Sequence, residues 1–561
     1  MALVNKFLVS KRWEYIVPAL AVTALLTSCI IIAYKKLFWN DELYSYYFLS
    51  DPSFTHMLSA FHDKINNTPP LYFLLGWLWA RVFGSSELSL RLFSSLGMCL
   101  ACIIVWIVLR RTYSFWSTSI GVLSIFCTSS IILSQNAEAR MYGLFLSLCS
   151  LAFFLYDSIN RNSNNHWTTL ISNACVHAAI VHTHLFGIFY SGAVTCSFIA
   201  RDKCFNSLKP KVYYSIVVGW FTIILYIPSF INQSDAGNPR TWIPIPSVRD
   251  LIDVLSFSLF SFQGVTVGSL TKFLILLLIA FVSGWRIFNY KNHIASTQSE
   301  QQSGKKVKAE ISCLLFAYSF LVVPIFIWVI SRTIKPIFWD RYLIPSVLSW
   351  SILFAHLSSK IIFNFISSQR TKINFLSNLS LIQRKSIKST FLIGLTAVLL
   401  VQPIRYARSV QVEPIVGLND NKYGYKELPI AMQFSHDFVK RFHYSPEKDR
   451  YFFILDWQVA LDSSSGLFPP QEYKHMDALK RRYPKLFKDN IIESEKFLST
   501  YSRFLVLTDM DYTRQCTLEK KLKNGHCSRW FAIRLMNNPS YKVTSLGDID
   551  NRRLFLVENQ K

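Results

Sequence analysis

Long apolar runs constrain the fold of this chain more than any other feature. A helix that crosses a bilayer needs about 20 mostly apolar residues, and about eleven stretches approach or reach that length with few charges. They are Tyr15–Tyr34, Leu88–Leu109, Phe115–Leu133, Met141–Tyr156, Thr168–Phe186, Gly187–Ala200, Val212–Ile231, Thr271–Phe288, Ile311–Ile330, Leu343–Leu357 and Thr390–Ile404. We therefore predict an all-α polytopic membrane domain.

The charges lie between these runs and predict a topology. From Met1 to Arg405 there are 34 Lys and Arg against 15 Asp and Glu, which leaves 25 against 19 for the remainder. The formal net charge of +25 does not indicate nucleic acid, because the basic residues form short clusters between apolar runs, as the positive-inside rule describes. With eleven spans every cluster falls on the cytoplasmic side, and the segment after Arg405 faces outward.

The chain changes character after residue 405. Residues 1–405 form the predicted membrane domain, and 406–561 read as a small soluble α/β domain. Its predicted strands are Tyr451–Leu455, Phe504–Leu507 and Leu554–Val557, and its predicted helices are Gln471–Tyr483 and Arg529–Met536. It carries no GxGxxG, P-loop or zinc spacing, so we assign no catalysis to it. Cys516 and Cys527 could pair there in an oxidising compartment.

The first outward loop, residues 35–87, is too long for a simple turn. Its apolar stretch Leu71–Phe83 is short for a span and is predicted to be an interfacial or re-entrant helix. The acidic pair Asp41 and Glu42 follows the first span closely. A solvated loop is the ordinary explanation for such a pair, but further ionisable residues occur at other predicted outer boundaries.

These other residues lie in three segments. They are Arg91 with Glu87 at the entry of the second span; Glu138, Arg140 and Tyr142 between spans three and four; and Arg341 and Tyr342 at the entry of span ten. Ionisable groups at membrane boundaries usually mark substrate paths, so we expect the segments to converge on one cavity. The alternative for each arginine is snorkelling or an ion pair with Glu87, Glu138 or Asp340.

Sugar transfer from a lipid phosphate fits these residue types. The acceptor hydroxyl needs a carboxylate base, and the departing phosphate needs Arg or Lys donors. Aromatic side chains such as Tyr72 suit stacking on a sugar or lipid chain. His177, His182 and His184 fit polar packing better than a metal site. The sequence thus indicates no cofactor, and a divalent metal stays open without being indicated.

The order of several motifs resembles a known family. "WNDE" after the first span, "TPPLYF", "SSELSLRLFSSLGM", "SQNAEARMYGL" and "FWDRYLIP" are similar to segments of the C-type (GT-C) membrane glycosyltransferases. The branch in question holds protein O-mannosyltransferases, lipid A aminoarabinose transferases and bacterial polysaccharide-modifying relatives. The resemblance implies a polyprenyl-phosphate sugar donor and an inverting transfer. It also implies that Asp41 is the base beside Glu42, and that Arg91, Arg140 and Arg341 match family arginines.

We therefore expect a bacterial inner-membrane glycosyltransferase with an extracytoplasmic C-terminal domain. Its partners would be an undecaprenyl-phosphate-linked sugar, membrane lipids, and a lipid, glycan or protein acceptor, with no nucleic acid. The expected site holds Asp41 and Glu42 as catalytic residues. Expected substrate or phosphate contacts are Tyr72, Arg91, Glu138, Arg140, Tyr142, Arg341 and Tyr342. The alternatives are a flippase or polymerase of lipid-linked glycans, and a non-catalytic relative that binds a partner through its outer domain.

Overall fold

A computed structural model gives the fold. The residues it describes are 13–162, 166–237, 243–257, 268–289, 301–367, 381–457, 471–487, 489–509 and 530–560. Cys516 and Cys527, and with them their predicted pairing, lie outside these described residues. Among the other cysteines, free thiols are found at Cys99, Cys102, Cys127, Cys149, Cys175, Cys196 and Cys313.

Helices dominate the described chain. Those before residue 245 are Ile16–Ala33, Asn40–Leu49, Phe54–Phe61, Leu71–Phe83, Glu87–Arg110, Phe115–Phe126, Ser130–Gln135, Tyr142–Arg161, Trp167–Val181, Gly187–Phe205, Pro210–Phe221 and Ile227–Ser234. Those after it are Val248–Phe257, Ser269–Phe288, Gln301–Thr333, Val347–Ser367, Leu381–Ser409, Ser435–Tyr444, Gln471–Arg482, Pro484–Phe487, Ser494–Thr500 and Trp530–Met536. A 3₁₀ turn, Asp340–Ser346, precedes Val347–Ser367.

Within the described residues, eight helices are long and apolar enough to cross a membrane. They are Ile16–Ala33, Glu87–Arg110, Tyr142–Arg161, Pro210–Ser234, Ser269–Phe288, Gly304–Thr333, Asp340–Ile362 and Ser389–Ser409. Each corresponds to a predicted run, so the polytopic helical fold is confirmed. The other three runs are also helical: Phe115–Phe126 and Trp167–Val181 are shorter, and Gly187–Phe205 is more polar near its end. The total of eleven spans stays a prediction.

Two compact units interleave along the chain. The membrane unit comprises Met1–Lys35, Ser86–Ile224 and Pro246–Gln411, and the sheet unit comprises Lys36–Ser85, Leu225–Ile245 and Val412–Lys561. The predicted first outer loop thus packs within the same unit as the C-terminal domain. The division into domains 1–405 and 406–561 stays a prediction.

A close helix crossing organises one end of the membrane unit. Helix Glu87–Arg110 packs along Tyr142–Arg161, and two glycines face each other at the contact. A Cβ atom built on Gly143 would lie 1.9 Å from the carbonyl oxygen of Ser94, and one on Gly97 would lie 2.3 Å from the carbonyl carbon of Gly143. The backbones approach this closely because neither position carries a side chain.

Replacing Gly143 by alanine should destabilise the membrane unit. The added methyl group has no room without moving a helix, and such overpacking typically costs about 1–3 kcal/mol. We expect a lower unfolding temperature of the purified protein in detergent. Gly192→Ala is the matched control, because a Cβ atom at Gly192 meets nothing within 4 Å. Equal unfolding temperatures for the two variants would contradict the close crossing.

The sheet unit is built on one six-stranded sheet. Its strands are β1 (Ile430–Met432), β2 (Tyr451–Ile454), β3 (Ile491–Ile492), β4 (Arg503–Asp509), β5 (Tyr541–Ile549) and β6 (Arg552–Asn559). The order is β3-β2-β1-β4-β6-β5; the first four are parallel, and β6 and β5 are antiparallel additions. Helices cover buried strands such as β2, so the predicted α/β fold of this region is confirmed.

Segment 36–85 is tied to the sheet domain by polar contacts. Asp63 accepts hydrogen bonds from Arg481 at 2.8 Å and from Arg482 at 2.7 Å. The Tyr444 hydroxyl accepts the Phe38 N–H at 2.8 Å, and Glu413 accepts the Leu37 N–H at 3.1 Å. These contacts use both charged side chains and backbone groups, and they lie on either side of helix Asn40–Leu49 in the chain. They therefore fix the position of this helix within the sheet unit.

Candidate active site

The membrane unit gathers part of the predicted site around one histidine. We call Arg140, Tyr142, His184, Arg341 and Tyr342 the arginine cluster. The His184 ring lies 5.1 Å from that of Tyr342 and 6.2 Å from that of Tyr142, between ring centroids. Arg140 and Arg341 are both close enough to His184 to act on it electrostatically. Four predicted residues from two distant segments therefore meet here.

The backbone of Arg140 is fixed beside the close helix crossing at Gly97 and Gly143. The Ser94 hydroxyl donates to the carbonyl oxygen of Arg140 at 2.8 Å, and the Arg140 N–H donates to the carbonyl of Glu138, also at 2.8 Å. Arg91 lies one turn before Ser94 on helix Glu87–Arg110 and is only 2% exposed. A buried guanidinium needs hydrogen-bonding partners or a bound anion, which separates both arginines from ordinary surface cations.

Glu138 faces a different neighbour from the tyrosines. Gln135 donates to its carboxylate at 3.2 Å, and the carboxylate is close enough to Tyr406 to act on it electrostatically. Nearby, the buried Asn136 donates to the carbonyl of Leu25 at 2.8 Å. The segment between the two helices is thus anchored on both sides, which fixes the start of helix Tyr142–Arg161.

The 3₁₀ turn Asp340–Ser346 presents Arg341 and Tyr342. The Asp340 carboxylate accepts the Arg341 N–H at 2.7 Å, and the buried Tyr190 hydroxyl donates to the carbonyl of Leu343 at 3.0 Å. These two hydrogen bonds fix the backbone of the turn at Arg341 and at Leu343. The guanidinium of Arg341 also lies 6.0 Å from the centroid of the Tyr342 ring, within cation–π range.

The three histidines of the predicted Thr168–Phe186 run have separate environments. His177 is buried and shares a 2.6 Å hydrogen bond with Ser191. His182 contacts Thr222 at 3.1 Å. Only His184 lies in the arginine cluster. Over the described chain, no group of three or more His, Cys, Asp or Glu residues is placed to hold a metal ion.

In the sheet unit, Asp41 and Glu42 have different surroundings. Glu42 is 1% exposed, and its carboxylate accepts the Trp39 N–H at 3.2 Å. This is the reciprocal half of a capping box, so Glu42 helps to start helix Asn40–Leu49. Asp41 is half-buried beside it. Tyr72 is buried at the start of helix Leu71–Phe83, and its ring meets that of Phe73 edge-on.

Helix Gln471–Arg482 brings a second carboxyl group near Asp41. Glu472 is 8% exposed, and its carboxylate accepts the Ser435 hydroxyl at 2.8 Å and lies 3.7 Å from His436 Nε2. Burial raises the pKa of Glu472 to about 7, and the charges of Asp437 and Asp41 act in the same direction.

His475, one turn further along this helix, also interacts electrostatically with Asp41. Burial lowers the pKa of His475, against the opposing effects of the Lys64 carbonyl and the Asp41 charge. Its Nδ1 contacts that carbonyl, and its ring lies 5.6 Å from the ring of Tyr44. The sequence indicated no catalysis in this domain, and neither Glu472 nor His475 was among the predicted site residues. Their helix was predicted, but no local pattern connects residue 472 with residue 41.

The raised pKa of Glu472 predicts a pH-dependent stability. The folded-state pKa of about 7 exceeds the ordinary Glu value of about 4.3, so the protonated carboxyl stabilises the fold at low pH. That contribution, on the order of 2–4 kcal/mol, is lost as pH rises from about 4 through 7. Glu472→Gln should therefore gain unfolding temperature relative to the wild type over this range. The exposed Glu493→Gln is the control, and parallel curves for wild type and Glu472→Gln would refute the prediction.

The described residues combine a unit of long apolar helices with a unit built on one six-stranded sheet. No protein-family model matches the chain, and no curated protein matches its sequence. Among solved structures, it is similar to ArnT from Cupriavidus metallidurans bound to undecaprenyl phosphate, with TM-score 0.51 and 13% identity over 98% of both chains. The apo state of the same protein gives TM-score 0.50 and 12% identity over the same share. The predicted fold class is thus confirmed.

Proposed function

We propose that this protein is a membrane glycosyltransferase that moves a sugar from a polyprenyl-phosphate donor to an extracytoplasmic acceptor. The arginine cluster is the observation that carries the proposal. Two guanidinium groups, two tyrosines and a buried imidazole meet in a unit made of apolar helices. Paired arginines suit the oxygens of a phosphate. The similar ArnT structure was solved with bound undecaprenyl phosphate, which supports a phosphate carried by a lipid.

The proposed reaction assigns a role to each of the predicted site residues. Asp41 accepts the proton of the acceptor hydroxyl while that oxygen attacks the anomeric carbon, and the bond from this carbon to the phosphate oxygen breaks. Arg140 and Arg341 stabilise the charge on the departing lipid phosphate, and Arg91 and Tyr142 support that binding. Attack opposite the leaving group inverts the anomeric configuration.

The cellular setting belongs to the same proposal. The basic clusters place the cytoplasm on the side opposite the predicted outer loops, so the protein would lie in a bacterial inner membrane with its C-terminal domain in the periplasm. The acceptor would then be a lipid, glycan or protein of the cell envelope.

Purified protein tests the proposal directly. It would be incubated with a panel of undecaprenyl-phosphate sugars and with cell-envelope fractions as acceptors, and mass spectrometry would follow free undecaprenyl phosphate and the modified acceptor. We expect both products to appear together. Movement of an intact lipid-linked sugar between leaflets, without transfer, would instead identify a flippase.

A further inference from the structure

His184 has a defined hydrogen-bonding state. Its side chain is 3% exposed, and its Nδ1 accepts the Phe186 N–H at 3.0 Å. A ring nitrogen that accepts a hydrogen bond carries no proton, so the proton of the neutral ring is on Nε2. Among the residues that the structure describes, no hydrogen bond involves Nε2.

The surroundings keep His184 neutral and hold its plane. Burial disfavours a charged ring, and Arg140 and Arg341 would repel a third positive charge beside them. The Phe145 ring stacks on it at 5.0 Å, and the Phe186 ring meets it edge-on at 5.4 Å. The result is a fixed N–H donor in a cluster that otherwise offers guanidinium groups and tyrosine hydroxyls.

We propose that His184 Nε2 donates a hydrogen bond to an oxygen of the lipid phosphate held by Arg140 and Arg341. This rests on the proposed function and adds a binding residue to the same site. A neutral donor supplies a directional bond without a third cation, and most buried polar side-chain atoms in proteins have a hydrogen-bond partner. His182 Nε2 already has a protein partner in Thr222. His177 Nε2 is buried without a partner among the described residues, but His177 is not part of the arginine cluster, which distinguishes both from His184.

Binding of undecaprenyl phosphate to the detergent-purified full-length protein tests the proposal. His184→Phe keeps a flat ring against Phe145 and removes the donor, so affinity should fall about 10-fold or more, as for a lost bond to a charged group. His184→Gln places an N–H near the original Nε2 and should recover most of the affinity. His182→Gln is the matched control and should bind as the wild type does.

The outcomes separate this inference from the function it rests on. Wild-type affinity in His184→Phe, or equally weak binding by His184→Phe and His184→Gln, would overturn the role of Nε2. If the phenylalanine lowers the unfolding temperature, His184→Met removes the donor with a more adaptable side chain and gives the same comparison. A wild-type protein that binds no undecaprenyl phosphate would instead refute the proposed function.

Discussion

Asp41→Asn should lower the rate of sugar transfer about 10²–10⁴-fold, the usual contribution of a general base. Asparagine keeps the size of the side chain and removes its capacity to take the acceptor proton. Donor affinity should change little, because the proposed phosphate contacts are arginines. The measurement is the turnover number of each variant, with undecaprenyl phosphate affinity determined in parallel.

Glu42→Gln is the informative comparison for Asp41. The Glu42 carboxylate caps the helix that carries both residues, and glutamine is accepted at that position of a capping box. We therefore expect a small change in turnover. A large loss for Glu42→Gln with near wild-type turnover for Asp41→Asn would reverse the assignment. Loss of donor affinity in Asp41→Asn would make Asp41 a substrate ligand instead of the base.

Arg140→Gln and Arg341→Gln should each weaken binding of the lipid phosphate about 10–100-fold. Each substitution removes charge-assisted hydrogen bonds of about 1.5–3 kcal/mol. The lysine variants should recover only part of the affinity, because lysine keeps the charge and loses the two-pronged geometry of arginine. Titration of the purified variants with undecaprenyl phosphate gives the dissociation constants.

Arg332→Gln is the control for charge alone. Arg332 belongs to the membrane unit and lies over the Trp328 ring while it donates to the carbonyl of Pro246; neither contact involves a residue of the arginine cluster. It should bind the lipid phosphate as the wild type does. A similar loss in all three variants would show that net charge, and not the cluster, determines affinity.

The interleaving of the units explains why part of the site was not predictable. The sequence pattern predicts an outer loop around Asp41 and a separate domain after Arg405. The structure packs residues 36–85 with residues 412–561, through contacts such as Asp63 with Arg481 and Arg482. Asp41 consequently lies near Glu472, and the pKa of that carboxyl follows from burial and from this neighbour.

Local patterns were enough to determine the elements themselves. Apolar length predicts the long helices, and the short run Leu71–Phe83 is a helix with the predicted bounds. Clustered β-branched and aromatic residues predict β2, β4 and β6. These predictions succeed because the hydrophobic period and the cost of burying backbone polar groups act between near neighbours in sequence.

Only the tertiary structure decided which side chains share an environment. It placed His184 between Tyr142 and Tyr342, although the sequence grouped His184 with His177 and His182. It also gave Glu42 a capping role and Glu472 a place beside Asp41. Such proximities depend on how helices cross and which segments pack together, and close contacts such as Gly143 against Ser94 fix them. The hydrophobic period of a sequence predicts which residues share a face of a helix or strand. It does not predict which other element packs against that face.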